Sequence, residues 1–195
     1  MAIDSTKILA AVAAAGTSGA ELFWVAPIGS TAPTSATGTL DAAWLSAGLI
    51  HEDGIEKAIK TSTSDVMAYG LLTPVRKIVT SEEITITVTF REHNAVSMAV
   101  YNKLPLTGAG APTFVAGETT IDDGIPRTQR YMGLIDMVDG DNRIRALITN
   151  FEVTERGGQT LKAGSTIDQQ VTLTAYPNSA GVAVRTFYLI DALVA

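Results

Sequence analysis

The sequence predicts a mainly β domain of α+β character, with about eight strands packed as two antiparallel sheets in a sandwich or barrel and one short helix near the middle. Three observations predict it. Residues 84–90 alternate strictly between apolar and polar, turn residues punctuate short β-rich runs along the chain, and one stretch near the middle repeats at helical spacing.

The alternating run is Ile84-Thr85-Ile86-Thr87-Val88-Thr89-Phe90. A pleated strand sends successive side chains to opposite faces, so Ile84, Ile86, Val88 and Phe90 face a core and Thr85, Thr87 and Thr89 face something polar. At ~3.3 Å per residue the run spans about 23 Å. Directly after it, Asn94 stands as a helix N-cap, Val96, Val100 and Leu104 recur at helical spacing, Lys103 lies in the last turn and Pro105 stops the run. Leu22–Ile28 reads as a strand ended by Pro27 and Gly29. Arg130–Val138 and Arg143–Thr154 flank Asp139-Gly140-Asp141-Asn142, a hairpin turn. In the second of these strands Ile144, Ala146 and Ile148 hold one phase and Phe151 and Val153 the other, which predicts a bulge or bend. Gln170–Tyr176 and Val182–Leu193 form a last pair around the turn 177–181, and Thr107–Asp123 is a Gly/Pro-bearing surface loop.

At 195 residues the chain is expected to be one domain, 1–195, with 1–20 as an N-terminal arm. Residues Glu52–Val79 resist assignment to an element: acidic at Glu52-Asp53-Gly54, then Ser/Thr-rich, then Pro74. Unstructured connections beyond ~15 residues are uncommon in compact domains and usually functional, so 52–79 is expected to be a long loop reaching out of the domain. It gathers Val66, Met67, Tyr69, Leu71 and Leu72, a cluster that needs a partner.

Composition excludes several function classes. With no cysteine there is no disulfide, thiolate metal site or cysteine nucleophile. The balance of 14 basic against 20 acidic residues, net charge -6, argues against a protein that grips phosphates, and the basic residues are scattered, with Arg143 and Arg145 the densest group. The apolar run Ile8–Ala15 is too short for a membrane span, and Asp4 sits where a signal peptide would carry positive charge, so neither export nor a membrane anchor is expected.

Catalysis needs a constellation, and none is legible. His51 and His93 have no partner at metal-ligand or catalytic spacing, and each reads as structural. Asp139, Asp141 and Asn142 lack the glycine and distal glutamate of a calcium loop and fit a plain turn. Asp122-Asp123 and Glu82-Glu83 are adjacent pairs that a strand would send to opposite faces. Trp24, Trp44 and Tyr69 read as core packing rather than a sugar platform. No cofactor, metal site or catalytic residue is expected.

An ordered series of segments carries more than generic β character. Trp24-Val25-Ala26-Pro27-Ile28-Gly29-Ser30-Thr31-Ala32-Pro33, Leu40-Asp41-Ala42-Ala43-Trp44 and Gly48-Leu49-Ile50-His51-Glu52-Asp53-Gly54-Ile55 follow in close order. Asp65-Val66-Met67-Ala68-Tyr69-Gly70 and Pro74-Val75-Arg76 come next, then the alternating strand with Glu92 and Asn94. This order resembles the major tail (tail tube) proteins of long-tailed actinobacterial phages. Tyr69 stands where the family commonly has tryptophan, and Tyr101-Asn102 where Tyr-Gly is common; both keep an aromatic anchor. The series is carried by residues 22–101, and the C-terminal half fits by strand order.

The resemblance implies two packed sheets flanked by a helix, and a structural rather than enzymatic subunit of the virion that forms hexameric rings stacked into a tube. It further implies assembly with itself and with other tail proteins (tape measure, tail terminator and distal tail), and genome DNA passing through the lumen without specific binding. Under it Thr85, Thr87 and Thr89 line the lumen, and the 52–79 loop, through Val66, Met67, Tyr69, Leu71 and Leu72, contacts the next ring. Half of that loop, fully extended, reaches at most ~45 Å. Two other readings share the fold class: a tube or ring protein of a bacterial contractile or secretion system, and a free-standing binding β-sandwich.

Overall fold

Alternation and turn chemistry resolve into eight strands and one helix in the computed structural model, which describes residues 21–124 and 127–190. The expected N-terminal arm 1–20, and the end of the last expected strand, lie outside the described residues. In chain order the elements are β1 (Phe23–Pro27), β2 (Leu45–Ser46), β3 (Ile50–Val66), β4 (Arg76–Phe90), α1 (Ala95–Tyr101), β5 (Arg130–Asp139), β6 (Asn142–Arg156), β7 (Gln169–Ala175) and β8 (Val184–Leu189). The mainly β architecture with one short helix agrees with the sequence expectation.

The strands form one antiparallel sheet in the order β2-β1-β5-β6-β7-β4-β3, with β8 on β6. Where two packed sheets were expected there is one continuous sheet, whose two halves meet along β6. β6 is long enough to serve both: residues Arg143 to Ile148 pair with β8, and Phe151 to Arg156 pair with β7. Between the halves lies a bulge, where the register against β5 steps from Gly133↔Ile148 to Tyr131↔Phe151. Extra residues on one strand bend it and reset its phase. This is the slip legible in the sequence, and it lets Ala146, Ile148, Phe151 and Val153 all enter one core. Gly133 sits opposite the bend because a Cβ there would lie 2.9 Å from both Ile148 Cδ1 and Phe151 Cε1.

The main core is the inside of the roll. It takes Phe23 and Val25 from β1, Tyr131 and Ile135 from β5, the β6 set above, Val171, Leu173 and Ala175 from β7, and Ile86, Val88 and Phe90 from β4. The other face of β1, β5 and β6 is covered by the segment before β2: Trp44 packs with Ala26, Met132, Leu134 and Leu147, and its indole N–H donates to Thr31 O at 2.9 Å. Val138 and Arg143 bracket the turn that the sequence predicts; the ladder runs one pair further, to Asp139↔Asn142, and Gly140 adopts φ +59, the left-handed region that a two-residue hairpin needs.

Helix α1 has a complete capping box. The Val96 and Ser97 amides donate to Asn94 Oδ1, and the Asn94 amide donates to Ser97 Oγ, each at 2.9 Å. The helix stops at Tyr101, earlier than Pro105 suggests. Leu104 N donates to Ala99 O at 2.8 Å and Lys103 N to Val100 O at 3.2 Å, a Schellman closure with Lys103 at φ +56. Lys103 therefore lies beyond the last turn instead of within it.

The largest departure from the sequence reading is 52–79. The segment is a two-stranded ribbon, not an irregular loop: β3 and β4 pair from Ile55↔Val88 out to Val66↔Arg76. Every residue from Glu56 to Glu83 is exposed, so no apolar alternation marks these strands and the period-2 signal is lost. Backbone hydrogen bonds make the ribbon where side-chain burial does not. Beyond Ile84 the strands leave the core as an arm whose only connection is the 67–75 turn.

Candidate assembly surfaces

Thr85, Thr87 and Thr89 lie half-buried on the face of β4 opposite Ile86, Val88 and Phe90, all of which are fully buried. The strand register extends this polar face sideways. Thr174, Thr172 and Gln170 of β7 stand directly opposite Thr85, Thr87 and Thr89, and Glu152 and Glu155 of β6 stand opposite Thr174 and Thr172. Thr154 Oγ1 meets Thr174 Oγ1 at 3.1 Å. On the other side Ala58 and Glu56 of β3 face Thr85 and Thr87. The result is a hydroxyl-rich wall across four strands with carboxylates among the hydroxyls. Sequence reasoning found the β4 members; Thr172 and Thr174 alternate with buried Val171, Leu173 and Ala175 and carried the same signal.

The second surface is the arm tip. Val66, Met67, Tyr69, Leu71 and Leu72 come together there and are all exposed, Tyr69 and Leu72 at 108% and 99%. Val75 and Ile78 join them, and sequence reasoning missed both. The tip is shaped by the backbone: Val75 N donates to Val66 O at 2.9 Å, Leu71 N to Ala68 O at 3.2 Å, and Gly70 adopts φ +81. Lys77 pairs with Asp65 at 3.5 Å. Tyr69 is therefore not a core residue, unlike Trp44, because the arm carries it away from the body.

Two motif segments far apart in sequence meet at the end of β3 and β4 opposite the arm, past the Ile50↔Phe90 pair. Glu92 Oε2 accepts from Leu49 N at 3.0 Å, and Asn94 Nδ2 donates to Glu92 Oε1 at 3.4 Å. Gly48, at φ +78, packs so closely on Glu92 that a side chain there would collide with the carboxylate. Nearby, His51 Nδ1 lies 3.0 Å from Asp53, and Asp168 sits 3.8 Å from His51 Nε2 and 3.5 Å from Arg91 Nε.

Arg143 and Arg145, the densest basic group in the sequence, both serve Asp136. Arg143 donates to it through Nε at 2.8 Å and Nη2 at 2.6 Å, and Arg145 through Nη2 at 2.7 Å and Nε at 3.2 Å. Arg145, 2% exposed, spends its remaining nitrogen on Gly38 O at 2.6 Å and Ser35 O at 3.2 Å, which ties down the segment covering the second face. The hydrogen bond to Asp136 and its charge raise the Arg143 pKa against the opposing effect of burial. These arginines are structural and occupied, not phosphate ligands.

Among the described residues no three His, Cys, Asp or Glu groups are placed to hold a metal ion, and no helix is long and apolar enough to cross a membrane. Asp123 pairs with Arg156 at 3.3 Å, and Glu83 stands opposite Lys60 while Glu82 stands opposite Thr61, so neither acidic pair converges on a site.

No curated protein matches the chain. A cryo-EM structure of the anti-feeding prophage cap, a tube-terminating cap, aligns over 97% of this chain and 100% of its own at 15% identity, with a TM-score of 0.42. A family model described as phage tail tube protein matches residues 1–194. A match over that span, on a mainly β chain with one short helix, shows the family: the chain belongs to the phage tail tube proteins and is a structural subunit of the virion.

Proposed function

We propose that this subunit closes into hexameric rings that stack into a conduit for genome ejection, with the threonine face of β4 and β7 lining the lumen and the β3–β4 arm bonding successive rings. The observation that carries the reading is the continuity of the polar wall. Thr85, Thr87, Thr89 and Thr172 form one hydroxyl surface directly behind the core, continued by buried Thr174, with Glu56, Glu155 and the Glu152–Arg130 ion pair on the same face. Symmetry repeats such a wall around every ring. A lysine-lined repeat would hold DNA tightly, because affinity grows steeply with the number of phosphates neutralised. Hydroxyls with scattered carboxylates keep the duplex hydrated and moving, with repulsion fading over about 8 Å in physiological salt.

Ring closure also supplies what the lone sheet lacks. β3 is an edge strand along its whole length, and exposed edges recruit further strands unless they are covered. On this reading the tube grows from and ends on other tail proteins (tape measure, terminator and distal tail), and the role is non-enzymatic. Electron microscopy of the purified protein, with light scattering across concentration, tests it. Rings or tubes in multiples of six are expected; a monomer at every concentration and salt, with no assembly on tail-initiating partners, overturns it.

A further inference from the structure

We propose that Asp53 is a self-modification site: its side chain closes on the Gly54 amide to a succinimide and reopens as isoaspartate, with His51 supplying the proton. Closure of this kind is easiest where the next residue has no side chain. The chain holds three Asp-Gly pairs, at 53, 123 and 139, and no Asn-Gly pair. The surroundings single out the first. Ile50 pairs with Phe90 and Ile55 with Val88, so residues 51–54 have no register partner on β4 and bulge out of the ladder. The Asp53 side chain is 87% exposed, and Gly54 adopts φ +76 with nothing within 4 Å of where a Cβ would stand. Backbone that is outside the ladder and uncrowded opens locally at low cost, which ring closure requires.

His51 provides what a bare Asp-Gly pair lacks. Its Nδ1 lies 3.0 Å from Asp53 Oδ2, and in the neutral ring the same nitrogen accepts from the Asp53 amide at 3.2 Å. On the ring's other edge Nε2 stands 3.8 Å from Asp168, which Arg91 Nε faces at 3.5 Å. The imidazole is thus set between two carboxylates with Nδ1 on the reacting one. Water is the only co-reactant. The Gly54 nitrogen bonds to Asp53 Cγ, and Oδ2 departs as water, taking one proton from the imidazolium and one from the Gly54 amide. Water then adds at either ring carbonyl. Opening at Cγ restores aspartate; opening at the α-carbonyl leaves the chain running through Cγ with the α-carboxylate free. In both cases the proton released returns to His51. The other two pairs lack this donor. Asp123 faces Arg156 Nη1 at 3.3 Å, and a guanidinium keeps its proton. Asp139 is held in the register pair with Asn142 that closes the β5–β6 hairpin. Isoaspartate adds one backbone atom, which a bulge absorbs and a ladder does not.

The purified chain, incubated at neutral pH in water labelled with heavy oxygen, reports each site separately. Mass spectrometry with electron-transfer fragmentation locates the label, and an isoaspartyl methyltransferase marks the rearranged product. Label is expected at residue 53 about tenfold faster than at 123 or 139, below the ~10²-fold of an enclosed proton donor because Asp53 is open to water. His51→Gln is expected to slow residue 53 about tenfold and leave the other two sites unchanged. A ring that merely braced the bulge would, once lost, speed the reaction instead. Asp53→Glu keeps the carboxylate but needs a larger ring, and is expected to abolish labelling there. In urea the advantage of residue 53 is expected to disappear. Labelling at 53 no faster than at 123 and 139, or undiminished in His51→Gln, overturns the assignment. An advantage that persists in urea overturns the role given to the folded bulge. None of these readings requires tubes to form.

Discussion

Phe23 on β1 and Phe90 on β4 hold their rings 6.1 Å apart, although β5, β6 and β7 separate the two strands in the sheet. Contact across that separation requires the sheet to roll on itself, so the pair marks the closure of the core. Phe23 also meets Phe151 at 6.3 Å, just past the β6 bulge that provides the bend. Phe90→Ala opens a cavity at this closure and is expected to cost about 3–5 kcal/mol in urea unfolding of the subunit. Thr87→Val, on the opposite face of the same strand, is expected to stay within ~0.5 kcal/mol.

Asp136→Ala strands Arg145 in a site where it is 2% exposed. An uncompensated buried charge typically costs about 3–5 kcal/mol, and a loss of that size is expected by chemical denaturation. Asp136→Leu with Arg145→Met should recover much of the loss. Hydrogen exchange around residues 35–38 should nevertheless stay faster than in the parent, because the Arg145 bonds to Ser35 O and Gly38 O are gone.

Burial pushes the Tyr131 phenol up from its usual value, and its hydroxyl donates to Leu104 O at 2.6 Å and Ala99 O at 3.3 Å. The unfolded phenol ionises near pH 10 and the folded one resists. Stability from this group is therefore complete below about pH 10 and falls as pH rises beyond it, by up to ~1.4 kcal/mol per pH unit. Denaturation series between pH 8 and 11 should show this decline, and Tyr131→Phe should flatten it while lowering stability at neutral pH.

The arm is expected to contribute to assembly and little to the subunit. Because Lys60 pairs with Glu83, a clean excision replaces residues 61–82 with an Asn-Gly turn between them. Thermal unfolding of the shortened monomer should shift by only a few degrees, while tube formation is lost. In the intact monomer, amides beyond Ile84 are hydrogen-bonded yet uncovered, so they should exchange faster than those of Ile86–Phe90 and gain protection in the tube. Arm amides already as protected as the core would place the arm in the folding unit and defeat the prediction.

Tyr69→Ala and Leu72→Ala remove exposed side chains and are expected to change subunit stability by less than ~0.5 kcal/mol. Each should lower tube yield in sedimentation assays, and the pair together more than either alone.

What the sequence determined by itself was what neighbouring residues decide. The Ile84–Phe90 alternation, the Asn94 cap, the Gly140 turn and the phase slip in β6 each encode a conformation within a few residues, and each is present. The family series in residues 22–101 was legible in the same way, and the match over 1–194 extends it. Tertiary structure alone decided the rest. The arm has no buried face, so its strands carry no pattern, and only the pairing of β3 with β4 shows a ribbon. That Arg143 and Arg145 are bound up with Asp136 depends on a cross-strand register that neither strand specifies alone. The closure of Phe23 on Phe90 spans most of a domain, and the bend that permits it is local while the contact that rewards it is not.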